Sequence, residues 1–336
     1  MTKFYLIIFL SFVISSCSGD KLDVDVSNVE VDLNFERFEK EMFEGSTPEE
    51  MAKINESLIE KGGELYEFYV YEMLRAGSVY DDSIGTLLSF YVNDSMMQMM
   101  MEDLETEFSD FNIVEEKLID VFKRLKYHLP NSPQPNKIIT YNGAFTFGVV
   151  STDSVIGIGL DMYLGAQNRL VREIRFPQYM KEKMTRDYLS LDVAQSWLMT
   201  NVLEEDQGET FLSSMIYYGK LRYILKALLP KSEDHIIMRY NPEEYDFAVA
   251  SEFEIWEYLI EMNWIYSIDM KVKLRFFEEA PSTVGIDGSP GRIGQFMGWQ
   301  IVKQYMEANE DVTIEQLLLE TNEAKILKEY KPEENE

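Results

Sequence analysis

Residues 138–160 read IITYNGAFTFGVVSTDSVIGIGL, and they are the part of the chain in which a β-sheet is predicted most clearly. Three runs rich in β-branched and aromatic residues are candidate strands, at 138–141, 147–151 and 155–160. Asn142-Gly143 and Thr152-Asp153-Ser154 separate them and are typical of turns. The stretch therefore predicts a small sheet within the chain.

Helical periodicity prevails on both sides of this stretch. Thr47-Pro48-Glu49-Glu50 predicts a helix start, and the helix should run to about Lys61 before Gly62-Gly63 breaks it. Earlier, the alternation of apolar residues over 24–35 predicts one half-buried strand. Further helices are expected at 190–203, 210–229, 245–263 and 291–307. The predicted fold class is α+β and helix-dominated, with a small antiparallel or mixed sheet flanked by many helices.

The N-terminus has the pattern of a lipoprotein signal peptide. Lys3 precedes an apolar run at 4–13, and Ile14-Ser15-Ser16-Cys17 follows as a lipobox. A retained transmembrane anchor is the alternative, but the run is shorter than the roughly 20 residues that span a bilayer. We expect a signal peptide at 1–16, a tether at 17–30 lipidated at Cys17, and a single large globular domain of one or two lobes at 31–336.

The sequence after Cys17 also bears on location. Ser18 stands where an aspartate would favour retention at the inner membrane, and residues 18–21 lack the dense acidic run expected of surface display. We therefore expect a protein anchored in the cell envelope by its lipid, at the outer membrane and facing the periplasm.

Composition excludes several functions. The chain carries 60 acidic and 31 basic residues, a net charge of -29, which argues against nucleic acids and anionic lipid surfaces as partners. Cys17 is the only cysteine, and the only histidines are His128 and His235, so HExxH and thiolate zinc sites are impossible. Ser289 lacks a GxSxG motif. We expect no cofactor and no metal.

Several short motifs carry a resemblance to a known family. They are 158–161 (IGLD), 163–165 (YLG), 219–220 (GK), 254–256 (EIW), 290–294 (PGRIG) and 298–302 (GWQIV). Together they resemble GldB, the family of gliding-motility lipoproteins of Bacteroidota. The resemblance implies a component of gliding and of the associated type IX secretion apparatus, with other envelope proteins as partners and no established enzymatic activity.

The order of the predicted elements also looks distantly similar to zinc-dependent peptidases. In this resemblance, 155–160 is an exposed edge strand, and the helix bearing Val193 corresponds to the metal helix. Asp192 and Ser196 then stand where the two histidines would be expected, which implies a zincin-like shell without metal.

Three residues are accordingly candidates for lining a peptide-docking groove: Asp192, Ser196 and Glu254. No catalytic residue is predicted, and the expected function is non-catalytic binding or assembly, with a partner strand pairing at the edge of 155–160. The alternatives are a peptidase-like envelope hydrolase with an unrecognised site and a purely structural lipoprotein.

Overall fold

The computed structural model describes residues 21–204 and 208–334. The signal peptide predicted at 1–16, Cys17 and the first residues of the tether lie outside the described residues.

A mixed four-stranded sheet forms where the sequence predicted it. Its strands are β1 (Asn34–Arg37), β2 (Lys137–Tyr141), β3 (Val149–Ser151) and β4 (Val155–Gly159), in the order β1-β2-β4-β3. Strands β1, β2 and β4 are parallel, and β3 is antiparallel to β4. The strand expected over 24–35 is confirmed only at its end, because β1 begins at Asn34.

The prediction that 155–160 forms an exposed edge is wrong. Strand β4 has β2 on one side and β3 on the other. The turn at Thr152-Asp153-Ser154 folds β3 back onto β4 as a hairpin, where Thr152 donates its N–H to the carbonyl of Val155. This hairpin covers the side of β4 that would otherwise be open, so β3 is the edge strand on this side of the sheet and β1 is the other.

Five helices precede β2: α1 (Phe38–Met42), α2 (Pro48–Phe68), α3 (Ile84–Asn93), α4 (Ser95–Glu107) and α5 (Asn112–His128). A π-helical turn at Tyr69–Met73 follows α2. The predicted start of α2 is confirmed by a capping box between Thr47 and Glu50. Gly63 (φ 51°) leaves the helical region, so the glycine pair kinks α2 without ending it.

The helices after the sheet are α6 (Arg169–Glu173), α7 (Gln178–Lys181), α8 (Arg186–Asn201), α9 (Phe211–Leu228), α10 (Asp234–Met238), α11 (Pro242–Ala250), α12 (Glu252–Glu261), α13 (Met270–Phe277), α14 (Ile293–Ala308), α15 (Ile314–Leu319) and α16 (Glu323–Leu327). A 3-10 turn at Leu160–Tyr163 follows β4. Three predicted helices correspond to α8, α9 and α14, whereas the one expected at 245–263 is two helices that meet at Ser251. With 57% helix and 6% strand, the helix-dominated α+β class is confirmed.

The sheet separates two apolar clusters, because successive side chains of a strand point to opposite faces. Ile138 and Ile156 belong to the larger cluster, which includes residues of α5, α8, α9 and α14. Ile139 and Tyr141 belong to the smaller cluster, with α2 and α3. The sheet is thus a middle layer between two sets of helices. No helix of the described residues is long and apolar enough to cross a membrane.

Helices α9 and α14 pack closely through glycines. A Cβ atom built on Gly298 would lie 1.9 Å from the carbonyl oxygen of Met215, and one on Gly219 would lie 2.1 Å from that of Gly298. Gly219 and Gly298 therefore allow the backbones of the two helices to approach each other closely. Gly294 packs against another element, with Phe277 of α13 as its neighbour.

Candidate functional site

A cavity of about 270 Å³ lies between α8, the edge strand β3 and the segment that follows β4. Apolar side chains line one part of it: Val149, Met162, Phe176, Met180 and Met184. Polar side chains line the rest: Tyr163, Asp192, Gln195, Ser196, Arg239 and Glu279. Asp192 and Ser196, two of the three predicted groove residues, therefore meet at one site, one helical turn apart on α8.

Asp192 is held by two partners. Its Oδ1 lies 3.2 Å from Nη1 of Arg239, and its Oδ2 accepts a hydrogen bond of 3.0 Å from the Tyr163 hydroxyl. Burial raises the pKa of the Asp192 carboxyl, whereas Arg239 and the tyrosine hydroxyl act in the opposite direction. Both carboxylate oxygens are thus occupied by neighbouring side chains.

Two arginines near the cavity have left-handed backbones. Arg239 follows α10 at φ 58°, and Arg292 precedes α14 at φ 61°. Such conformations cost about 1–2 kcal/mol for a residue with a Cβ, and they are enriched at functional sites. Each arginine pairs with a carboxylate of the cavity wall, Arg239 with Asp192 and Arg292 with Glu279 at 2.6 Å.

A third arginine lies behind the cavity wall. Arg222 of α9 is 1% exposed, and its guanidinium donates to the side-chain oxygens of Gln195 (2.9 Å) and Gln295 (2.6 Å) and to the carbonyl of Ile237. Burial lowers the pKa of Arg222 to about 9. Its partners are neutral oxygens, and no carboxylate of the described residues lies within ion-pair distance.

The edge strand β3 borders the cavity. Val149 lines the cavity, and the Ser151 hydroxyl lies 2.8 Å from that of Ser196. Hydrogen bonds join Thr152 to Val155 and Gly159 to Gly148, so the alternation of an antiparallel ladder turns the main-chain groups of Val149 and Ser151 away from β4. Those outward N–H and C=O groups have no partner among the described residues.

Comparison with known proteins identifies the family to which this chain belongs. The family model for gliding motility protein GldB matches residues 19–332. The chain belongs to the GldB family. This membership associates it with gliding motility and, through the lipoprotein designation of the family, with the cell envelope. No curated protein and no solved structure matches the chain.

Glu254, the third predicted groove residue, lies elsewhere in this GldB-family chain. It is exposed on α12 and is not among the residues that line the cavity. Glu254 belongs to a quoted family motif, and the buried residues of its helix are Glu252, Ile255 and Leu259.

Sequence reasoning missed four polar residues of the site: Tyr163, Gln195, Arg239 and Glu279. Tyr163 belongs to a quoted family motif, and Gln195 lies between two candidate residues, so these two had a signal. Arg239 and Glu279 had none, because they are distant in sequence from α8 and only the folded chain brings them to the cavity.

The two histidines of the GldB-family chain lie apart from this cavity. His128 ends α5, where burial lowers its pKa to about 4, and His235 of α10 lies 3.3 Å from Glu233. In the part of the chain that the structure describes, no group of three or more His, Cys, Asp or Glu side chains could hold a metal ion.

A larger cavity of about 500 Å³ borders α9 and α15. Its lining includes Lys220, whose ammonium donates to the carbonyls of Leu318 and Glu320. None of the candidate residues lines it. The smaller cavity remains the better candidate. Ion-paired side chains line it, two arginines beside it have left-handed backbones, and it borders the open edge of β3.

Proposed function

We propose that this GldB-family protein is a lipid-anchored, non-catalytic assembly component of the gliding and type IX secretion machinery. In this proposal Cys17 carries the lipid, the anchor lies in the outer membrane, and the domain faces the periplasm. The lipobox and the family membership support the anchoring and the association with motility. The docking site on the domain is the cavity together with the outer edge of β3.

The open edge of β3 is the observation that carries this proposal. An extended segment of a partner can pair with the outward main-chain groups of Val149 and Ser151, and main-chain hydrogen bonds give such strand addition its affinity. Every second side chain of the added strand would face α8 and the cavity. The edge and the cavity thus form one continuous docking site.

The polar groups of the cavity favour binding over chemistry. A general acid or base needs a carboxyl that can exchange its proton with a substrate. Asp192 and Glu279 are each paired with an arginine, and Asp192 also accepts from Tyr163. The zincin-like shell is part of the proposal: β3 beside α8 would take the place of a substrate-binding strand, with Asp192 and Ser196 in place of metal ligands.

In-cell photocrosslinking tests the docking site. A photoreactive residue at Phe147, which is 41% exposed just before β3, should capture gliding or secretion subunits, whereas one at the exposed Glu254 should not. Val149→Pro removes one outward N–H but no hydrogen bond to β4, so it should abolish this capture. Val149→Ala keeps the N–H and is the matched control.

Three outcomes would contradict the proposal: equal capture from both positions, capture that survives Val149→Pro, or capture that is unaffected by Cys17→Ala. A deletion strain that glides and secretes normally would favour a purely structural lipoprotein instead.

The alternative of an envelope hydrolase draws on one observation, since two carboxylates, Asp192 and Glu279, line the same cavity. It predicts turnover of peptide substrates that Asp192→Asn abolishes. We expect no turnover by either protein, and turnover lost in the variant would establish the hydrolase.

A further inference from the structure

Gln195 connects the buried Arg222 with the cavity. A guanidinium has only donors, so the contact of 2.9 Å fixes the Gln195 oxygen as the acceptor. The amide NH₂ of Gln195 must then point away from Arg222. Gln195 lines the cavity, and its NH₂ has no hydrogen-bond partner among the described residues, so this group is a donor available to an occupant.

Among the described residues around the cavity, one cation has no ion-pair partner. Asp192 pairs with Arg239, and Glu279 pairs with Arg292. Arg222 is buried among neutral oxygens, one side chain behind the cavity. Electrostatic interactions are stronger in a buried environment than in water, so this charge favours an anion in the cavity even though the whole chain carries -29.

Arg239 adds charge to the cavity wall but no further free donor. Its Nη1 contacts Asp192, and its Nε, which has no hydrogen-bond partner in the part of the chain that the structure describes, is shielded from solvent and therefore from an occupant. The cavity thus combines one unused donor, the Gln195 NH₂, with excess positive charge.

We infer that the cavity accepts a carboxylate side chain, that of an acidic residue in the extended segment that docks on β3, and that Gln195 determines this preference. The inference rests on the proposed docking function and adds its specificity. Val149 belongs both to the edge and to the cavity lining, so a side chain of the added strand that faces α8 enters the cavity. A volume of about 270 Å³ accommodates one glutamate side chain.

Binding of four synthetic peptides to the full-length, detergent-solubilised lipoprotein tests this inference. The peptides are acetylated, amidated five-residue strands, Val-Thr-Xaa-Thr-Val, in which Xaa is Glu, Gln, Leu or Lys. We expect the Glu peptide to bind at least tenfold more tightly than the Leu peptide, with Gln intermediate and Lys weakest. Binding of all four with equal affinity overturns the carboxylate preference alone. Binding of none overturns strand docking as well.

Two variants that add the same negative charge beside Arg222 distinguish the effect of the Gln195 NH₂ donor from the effect of the Arg222 charge. Gln195→Glu still offers an oxygen to Arg222 but has no donor for the occupant, so the Glu peptide should lose its tenfold advantage. Gln295→Glu places the same charge beside Arg222 but leaves the Gln195 NH₂ in place, so the Gln peptide should still bind more tightly than the Leu peptide.

Thermal unfolding of both variants provides the control for folding, since each gains an ion pair with Arg222. A folded Gln195→Glu variant that binds the Glu peptide as tightly as the wild type would overturn the role of Gln195. A folded Gln295→Glu variant that binds the Gln peptide no more tightly than the Leu peptide would overturn the role of the donor.

Discussion

Asp161 illustrates how one buried carboxylate organises a turn of the backbone. Its oxygens accept the N–H groups of Gly143 and Phe145, and the side chain is fully buried. Ala144 and Phe145 both have positive φ, at 49° and 59°. The N–H between those of Gly143 and Phe145, that of Ala144, donates to the Asn142 side chain, and these three hydrogen bonds offset part of the cost of two left-handed residues. This turn leads into β3, so Asp161 helps to position the docking edge.

Asp161 should make stability depend on pH. Burial raises its pKa from 3.8 to about 6, so the folded state holds its proton more tightly than the unfolded state does. Stability should therefore fall as the pH rises from about 4 to 6, by about 3 kcal/mol for this residue. Urea unfolding of Asp161→Asn at pH 4.5 and pH 7.5 provides the comparison, because the variant lacks this titration.

The free energy of unfolding of the wild type, relative to Asp161→Asn, should be lower at pH 7.5 than at pH 4.5. The same difference at both values would mean that Asp161 keeps an ordinary pKa in the folded protein.

Individual residues were the hardest features to predict. Asp161 belongs to a quoted motif, but its partners Gly143 and Phe145 follow from a backbone conformation that residue types alone do not specify. Asp192 and Ser196 were predicted as a pair because the resemblance to zinc-dependent peptidases places them, four residues apart, where the two histidines would be expected. Their partners Arg239 and Ser151 come from other elements, and only the tertiary fold brings them together.

At the scale of elements, the contact between α9 and α14 is the most sensitive to substitution. Gly298→Ala would place a methyl group 1.9 Å from the Met215 carbonyl, and a backbone atom cannot move aside as the end of a flexible side chain can. We expect a loss of about 3 kcal/mol in the free energy of unfolding, at the upper end of the overpacking range. Chemical denaturation measures it.

Gly148→Ala is the matched control, because its new Cβ would meet no atom closer than 3.6 Å. Its stability should change by less than about 1 kcal/mol. If the two alanine variants are equally stable, the backbones of α9 and α14 do not approach each other as closely as the contact between Gly298 and the Met215 carbonyl implies.

Most elements could be predicted because apolar periodicity is a local property. The strands within 138–160 and the helices α8, α9 and α14 are examples. The order of strands is not local, so the sequence did not reveal that the hairpin from β3 covers β4. The prediction of a single helix at 245–263 was also wrong, because the apolar pattern continues across Ser251, where one helix ends and the next begins.

For the whole molecule, anchoring should depend on Cys17 alone. The lipobox predicts that Cys17 carries the lipid, and the net charge of -29 disfavours adsorption to anionic lipid. The wild type should partition into the detergent phase on Triton X-114 separation, and Cys17→Ala should move to the aqueous phase. A variant that stays in the detergent phase would point to a second anchor.

The length of β3 sets the lifetime of whatever docks there. Three residues place only Val149 and Ser151 outward, so a partner strand gains at most two N–H and two C=O contacts. Each contributes about 0.5–1.5 kcal/mol net, which is too little for permanent attachment. Since weaker binding is expressed mainly in faster dissociation, partners at this edge would exchange rapidly. The protein would then bind successive partners transiently rather than hold one partner permanently.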